Sequence, residues 1–442
     1  MSRALVTDLY ELNMAASYLR RGMTGSATFS LFVRDLPPGW GFLVACGLER
    51  CLGFLEDLRF TDEDLAYLGA ELHYPDETLE AFSRLRFTGS VRAIPEGRVL
   101  FAQEPLLEVT APLPEAQLAE TYLLNQLTYQ TAVASKAARC RLAAPDAQLV
   151  DFSLRRVHGA EAGIGVARAT SLVGFVATSN VEAARLLGLR SAGTMAHSYV
   201  EAFPTEIEAF RAFAQDFPDR VVLLVDTYDT ERGIDKAIEV AREVERDGHR
   251  VAGVRLDSGD LGVLAKKARA ALDEAGLGDV QVFASGGLDE HAIAALTASG
   301  APIDAYGVGT KVGVSEDAPA LDSVYKLVSH EGRPVAKLST QKTTLPGPKQ
   351  VWRRPGMGGD VIGLEHETGP DGAEALLVEV MREGRRVGPD SLEASRLRFE
   401  EDRAALPEGL RSLDPRPYPV ERTEELDSLA ARVAAEIRER EL

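Results

Sequence analysis

Seven short polar stretches carry most of the chemistry legible in this sequence. They are Asp151-Phe152-Ser153-Leu154-Arg155-Arg156, Thr178-Ser179-Asn180, Gly193-Thr194-Met195-Ala196-His197-Ser198, Asp226-Thr227-Tyr228, Arg255-Leu256-Asp257-Ser258-Gly259-Asp260, Ser285-Gly286-Gly287 and Gly307-Val308-Gly309-Thr310. Arg155 and Arg255 offer rigid planar forks that match a carboxylate or a phosphate. The two glycine stretches can turn backbone N–H groups toward a phosphate at a helix start. Asp226, Asp257 and Asp260 cannot hold phosphate directly, but they can order arginines, bind ribose hydroxyls, or bind Mg2+ through water. The set describes a site for a phosphorylated sugar and an organic anion.

Each stretch follows or ends a short apolar run. The candidate strands are Leu149–Phe152, Leu172–Val176, Ala192–Met195, Val221–Val225, Val251–Leu256, Val280–Ala284 and Ala305–Val308, with Ala-rich helical segments between several of them. That alternation indicates βα units and a parallel sheet. Seven such strands in about 200 residues suggest an irregular α/β barrel, whose strand-end loops converge on one rim.

Around this core the pattern differs. MSRALVTDLYELNM reads as a helix start, with Asp8 as N-cap and Glu11 at N3 of a capping box. Ala27–Arg34 and Gly41–Ala45 are strand-like, 61–86 helical, and 87–111 carries short strands such as Val99–Ala102 and Leu106–Thr110. A long helix is expected over 115–141, β character returns after 320, and an amphipathic helix follows Pro419 with Leu426, Leu429, Val433 and Ile437 on one face. The expected division is an N-terminal α+β domain at 1–112, a catalytic α/β barrel at 113–320, and a C-terminal segment at 321–442 that returns to the N-terminal domain.

The 442 residues carry a formal net charge of −19, which argues against a nucleic-acid or anionic-membrane surface. Local arginines can still bind phosphate, because separations beyond about 8 Å are screened at physiological salt. There is no apolar run long enough for a membrane span and no signal-peptide pattern at the N-terminus. Cys46, Cys51 and Cys140 have no metal-ligand spacing and fit a reducing cytoplasm.

Several of these stretches, and others, also match a family. TDLYELNM at 7–14, ETYLLNQLTYQTAVASKAAR at 120–139, DFSLRR at 151–156, TSNV at 178–181, GTMAHS at 193–198, VRLDSGDL at 254–261, ASGGLD at 284–289, YGVGT at 306–310 and the segment around YKLV, VAKLS and KQVWR resemble nicotinate phosphoribosyltransferases. The resemblance implies a non-Rossmann phosphoribosyltransferase fold, an α/β barrel with a flanking α+β domain. It implies a homodimer with shared sites that makes nicotinate mononucleotide and pyrophosphate from nicotinate and 5-phosphoribosyl-1-pyrophosphate (PRPP), with Mg2+ and ATP.

By the same resemblance Tyr10 and Phe152 sandwich the pyridine ring, Arg155 pairs with its carboxylate, and Thr194 contacts ligand. His197 becomes a transient phosphohistidine. Arg255 and Asp257 serve the base and ribose, and Ser285, Gly286, Gly287, Gly309 and Thr310 cradle the 5'-phosphate. Metal ligands are not assigned. Ser179, uncharged where the nicotinamide-using relative carries an acid, favours the pyridine acid. Lys136 and Arg139 are candidates for a phosphate role, although helix charges are usually solvated. Arg156 is either a ligand or a rim charge, and His158 reads as a bystander.

Three other readings stay open. One is a nicotinamide- or quinolinate-using phosphoribosyltransferase. A second is a barrel aldolase or epimerase, for which Lys311 is the one lysine beside a strand-end stretch. The third is a non-catalytic ligand sensor.

Overall fold

The computed structural model describes residues 3–218, 220–338, 344–388 and 390–441. Ser339, the last residue of VAKLS, lies outside them. The described chain forms two compact units, one from residues 1–132 with 320–442 and the other from 133–319.

The first unit is built on a seven-stranded antiparallel sheet. Its order is Arg333–Pro334, Ser323–His330, Ser26–Val33, Pro105–Pro112, Ser90–Ala93, Val378–Arg382 and Arg385–Arg386. Three early strands are therefore flanked on both sides by late ones, with Ala27 opposite His330 and Val33 opposite Ser323. Ser26–Val33 is buried along nearly its whole length, as a central strand covered on both faces must be. A second sheet pairs Lys349–Arg353 with Asp360–Leu364 and Glu374–Ala375. Arg353, buried there, is neutralised by Asp360 and Asp402.

Local details of this unit depart from the sequence reading. The first helix is Leu9–Arg20 and Asp8 is its N-cap, but no capping box forms. Asp8 accepts from the Thr121 hydroxyl, and the buried Glu11 carboxylate binds Thr121 and Thr7. Tertiary partners outcompete the local cap. The helical stretch 61–86 is two helices, Asp62–Glu71 and Asp76–Arg84. Between them, His73 at φ 54° and Pro75 break the run. Only Leu43–Val44 of 41–45 is a strand, paired with Val99–Leu100. The long helix is split as Leu113–Leu118 and Glu120–Ala143. In the terminal helix Glu424–Glu441, Leu426, Leu429 and Val433 are buried and Ile437 is half-buried.

The second unit holds a six-stranded parallel sheet in the order Ala177–Thr178, Gln148–Asp151, Ala305–Val308, Gln281–Ser285, Val251–Leu256 and Val221–Leu224. Helices such as Ala160–Leu172, Thr230–Arg246, Leu261–Glu274 and Glu290–Ala298 connect successive strands. The end strands Ala177–Thr178 and Val221–Leu224 do not pair with each other, so the sheet is a parallel half-barrel. Among the described residues, a single bridge from Thr178 to Ser191 extends it at one end.

Two expected strands are corrected here. Leu172 closes the helix Ala160–Leu172, Gly174 at φ +92° turns the chain, and the strand itself is only Ala177–Thr178. The apolar run LVGFV is a buried helix end: Leu172, Val173 and Phe175 are inside, while Val176 is exposed. Ala192–Met195 is not a strand either. It lacks β-branched residues apart from Thr194, whose hydroxyl turns to its neighbour's carbonyl and to Arg255.

Candidate active site

The C-terminal ends of the parallel strands surround two cavities, both within the second unit. The larger, about 360 Å³, is lined by Phe152, Arg155, Ser179, Thr194, His197, Arg255 and Asp257, with Leu154, Gly193, Met195, Ala196 and Leu224. The smaller, about 200 Å³, is lined by Ser285, Gly286, Gly287, Gly309, Thr310 and Lys311, with Arg156, Leu288 and Gly307. Phe152, Arg155, Arg255 and Asp257 line both. All the candidate site residues except Tyr10 are thus brought to one rim.

Arg255 is the hub. It emerges near the end of Val251–Leu256, and its guanidinium sits 5.6 Å from the Phe152 ring centroid. Nε donates to Ser285 Oγ at 2.8 Å, Nη1 to Thr194 Oγ1 at 2.8 Å, and Nη2 to Asp257 Oδ1 at 2.6 Å. Three loops are tied to one planar cation, whose orientation is fixed before any ligand arrives. Ser285 Oγ also donates to Asp257 Oδ1 at 2.5 Å. The hydroxyls of Ser285 and Thr194 therefore serve the arginine in this state.

Asp257 is held from every side. Its backbone N–H donates to Asp226 Oδ2 at 3.0 Å, and Ser258 Oγ reaches the same oxygen at 2.6 Å. Burial pushes the Asp257 pKa up, but the hydrogen bonds from Ser285 and Arg255 and the nearby His197 more than offset it, and the net shift is downward. The group is a carboxylate at neutral pH. Asp226 Oδ1 is buried and has no partner among the described residues.

His197 opens the short helix His197–Glu201. Its Nδ1 lies 3.2 Å from Thr227 Oγ1, and its Nε2 lies 3.9 Å from Asp257 Oδ2, too far for a hydrogen bond. The ring is steered by two neighbours and remains partly exposed, with 41% of its side chain accessible. Thr227 was present in a strand-end stretch, but nothing in its sequence position pairs it with His197, 30 residues earlier.

The glycines are steric requirements. Gly286 has φ +93°, and a Cβ there would stand 2.0 Å from the Asp257 carbonyl oxygen. A Cβ at Gly307 would meet the Phe152 ring at 2.6 Å. Both permit close packing of the cavity wall. Arg155 and Arg156 are exposed, and their side chains make no hydrogen bond or ion pair among the described residues, so both forks are available to an anion.

Lys136 and Arg139 do not line either cavity. They are buried, and both pair with Glu290, the first residue of the helix Glu290–Ala298 that follows Gly286-Gly287. Lys136 also pairs with Asp317. The structure shows them neither solvated, as helix charges usually are, nor at these cavities: both pair with Glu290 at the start of the helix behind the glycine turn. Tyr10 belongs to the first unit, on Leu9–Arg20, where it is half exposed. Partial burial, and then the Glu120 carboxylate beside its hydroxyl, raise its pKa.

Residues 5–128 match the nicotinate phosphoribosyltransferase (NAPRTase) N-terminal domain, and residues 147–350 match the nicotinate phosphoribosyltransferase (NAPRTase) family. Nicotinate phosphoribosyltransferase pncB2 of Mycobacterium tuberculosis is 48% identical over 422 residues, covering 94% of this chain and 90% of that protein. The chain belongs to the nicotinate phosphoribosyltransferase family. The human nicotinate phosphoribosyltransferase is 35% identical over 442 residues, covering 85% of this chain and 82% of that protein. The crystal structure of human nicotinic acid phosphoribosyltransferase superposes with a TM-score of 0.86 at 31% identity, over 97% of this chain and 99% of that one. A nicotinate-nucleotide pyrophosphorylase from Pyrococcus furiosus superposes at 0.76 and 25% identity, over 91% and 96%. The half-barrel and its strand-end cavities lie within the matched stretch of this family.

Among the described residues no helix is long and apolar enough to cross a membrane. The three cysteines are buried thiols that form no disulfide among the described residues.

Proposed function

We propose that this chain transfers the phosphoribosyl group of PRPP to nicotinate, releasing pyrophosphate and nicotinate mononucleotide for NAD biosynthesis in the cytoplasm, and that it couples turnover to ATP hydrolysis through a phosphohistidine at His197. The observation that carries this is the join between the two cavities: an aromatic-walled chamber and a glycine-walled one share Phe152, Arg155, Arg255 and Asp257.

The larger cavity suits the pyridine acid. Phe152 supplies a ring face, and Arg155, whose side chain has no partner among the described residues, pairs with the carboxylate. Ser179 adds no charge to oppose it. The smaller cavity suits the 5'-phosphate, which the backbone around Gly286, Gly287, Gly309 and Thr310 receives. Arg255 and Asp257 stand between the two, where the ribose bridges them.

The ring nitrogen of nicotinate forms a bond to ribose C1 as the bond from C1 to the pyrophosphate oxygen breaks, and pyrophosphate leaves with the electron pair. Positive charge grows on the ribose, and the ionised Asp257 stabilises it. The protein otherwise holds two activated reactants in line.

Mg2+ accompanies PRPP in this reading. No group of three or more His, Cys, Asp or Glu side chains among the described residues forms a metal cage. Mg2+ bound to a polyphosphate needs only one or two protein carboxylates and keeps several waters. Asp257, which lines both cavities, fits that need, with Asp226 behind it accepting from its backbone N–H, and the ion would neutralise the pyrophosphate.

A phosphate on His197 adds about two negative charges at the rim. Asp257 is already 3.9 Å away, so the added charge acts directly on the carboxylate that Arg255 holds. The Arg255–Asp257 pair is the element through which ATP changes affinity for PRPP. Tyr10 serves the pyridine ring as part of a homodimer with shared sites.

The test is pyrophosphate release from PRPP with nicotinate, nicotinamide or quinolinate, with and without ATP. Nicotinate is expected to be used best and to be stimulated by ATP. His197→Ala is expected to keep weak synthesis and lose the stimulation. A better rate with nicotinamide would overturn the substrate assignment, and unchanged ATP dependence in His197→Ala would overturn the coupling.

A further inference from the structure

Of the four cations lining the smaller cavity, Arg255 is consumed by internal hydrogen bonds, and the guanidinium groups of Arg155 and Arg156 have none among the described residues. Lys311 is intermediate. Its Nζ lies 2.7 Å from Asp289 Oδ2, and its side chain remains 32% exposed. The hydrogen bond and charge of Asp289 raise the lysine pKa, so the group stays an ammonium.

Asp289 has a separate local task. Its Oδ1 accepts from the Ala292 backbone N–H at 2.8 Å and caps the helix Glu290–Ala298. Capping alone does not explain the lysine contact, because a neutral asparagine caps a helix equally well. The charge on residue 289 therefore acts on Lys311. An ammonium has three donors, and a single acceptor leaves two for a ligand.

We propose that Lys311 is an anion-binding residue of the smaller cavity whose hold is deliberately limited by Asp289, which competes with the phosphate or pyrophosphate group for the same ammonium. The inference rests on the reading of this cavity as a phosphate site. Its physical consequence is a moderated grip: an unopposed lysine would strengthen binding of the 5'-phosphate of the released mononucleotide as much as that of the substrate, and equal strengthening does nothing for turnover.

The two partners of an ordinary structural ion pair give the same result when either is removed. A cation and its competitor give opposite results. The experiment is calorimetric titration of the full chain with inorganic phosphate and with pyrophosphate. Lys311→Met is expected to weaken binding about tenfold or more, with Lys311→Arg restoring most of it. Asp289→Asn, which keeps the helix cap, is expected to tighten binding several-fold. Asp289→Asn binding that is unchanged or weaker overturns the proposal, as does unchanged binding in Lys311→Met. Asp289→Asn keeps the proposal falsifiable if Lys311→Met fails to fold. A wild-type chain that binds neither anion overturns both this and the functional reading. A chain that binds them with opposite-signed variants, yet transfers to no pyridine acid, overturns only the latter.

Discussion

Gly286→Ala is expected to disable the site while leaving the fold largely standing, and Gly287→Ala is its internal control. At Gly286 the backbone lies at φ +93°, outside even the compact left-handed well, and an alanine pays about 1–3 kcal/mol to remain there. Strain is the smaller part. The new Cβ would stand 2.0 Å from the Asp257 carbonyl oxygen, where real Cβ contacts essentially never fall below 3.0 Å, so one of the two must move by about an ångström. The peptide that moves carries the carboxylate fixing Arg255. A displacement of that size at the reacting centre costs roughly 100-fold in rate. Gly287 has φ +63° and open space around its missing Cβ, so alanine there costs only about 1–2 kcal/mol of backbone strain. Each kcal/mol lowers Tm by about 2–4 °C for a unit of this size. The assay is steady-state pyrophosphate release at varied PRPP and varied nicotinate, beside thermal melts. Gly286→Ala should lose about two orders of magnitude in kcat/KM for PRPP, and Gly287→Ala less than tenfold. Equal losses in the two variants, or a Gly286→Ala enzyme within threefold of wild type, would refute the steric argument.

Three other substitutions test separate parts of the structure. Asp257→Asn should lower thermal stability at neutral pH. Because the folded carboxyl has a depressed pKa, its contribution is full above the unfolded value of 3.8 and fades as pH falls through the folded one. Melts of wild type and variant should therefore differ by a constant amount above about pH 5 and converge in stronger acid. A gap that widens in acid would reverse the assigned sign. Ser179→Asp places a carboxylate in the larger cavity with Arg155. It should raise KM for nicotinate about tenfold or more while sparing nicotinamide, and an unchanged ratio between the two would remove Ser179 from selectivity. Glu290→Gln leaves the buried Lys136 and Arg139 short of negative charge and should cost about 3–5 kcal/mol. A melt within 2 °C of wild type would show that the cluster contributes little.

The parallel character of the second unit was readable because its strands are short apolar runs punctuated by polar residues at one end. Val221–Leu224, Val251–Leu256 and Ala305–Val308 lie where alternation of strand and helix placed them. Leu172–Val176 misled because a buried helix end and a buried strand are both continuous apolar runs, and periodicity over five residues cannot separate them. The gathering of Arg155, Arg255 and Gly286 at one rim follows from strand order, whereas His197 reaches it on a stretch that is not a strand. What sequence could not supply is partner choice inside the rim. Ser285 and Thr194 read as ligand-binding hydroxyls, yet in the structure they hold Arg255. Lys136 and Arg139 read as solvated or phosphate-facing, and only the fold shows Glu290 buried between them. Such pairings join residues about 30 to 150 positions apart, a distance at which no local rule operates.

The unclosed seam of the half-barrel has a mechanical implication. A ring of strands distributes stress through every ladder, whereas this sheet stops at Thr178 on one side and at Val221–Leu224 on the other. The stretch spanning that gap has one bridge, at Ser191, and then Thr194 and Met195 clasped by a guanidinium. Arg255 thus does beside His197 what a strand ladder would do in a closed ring.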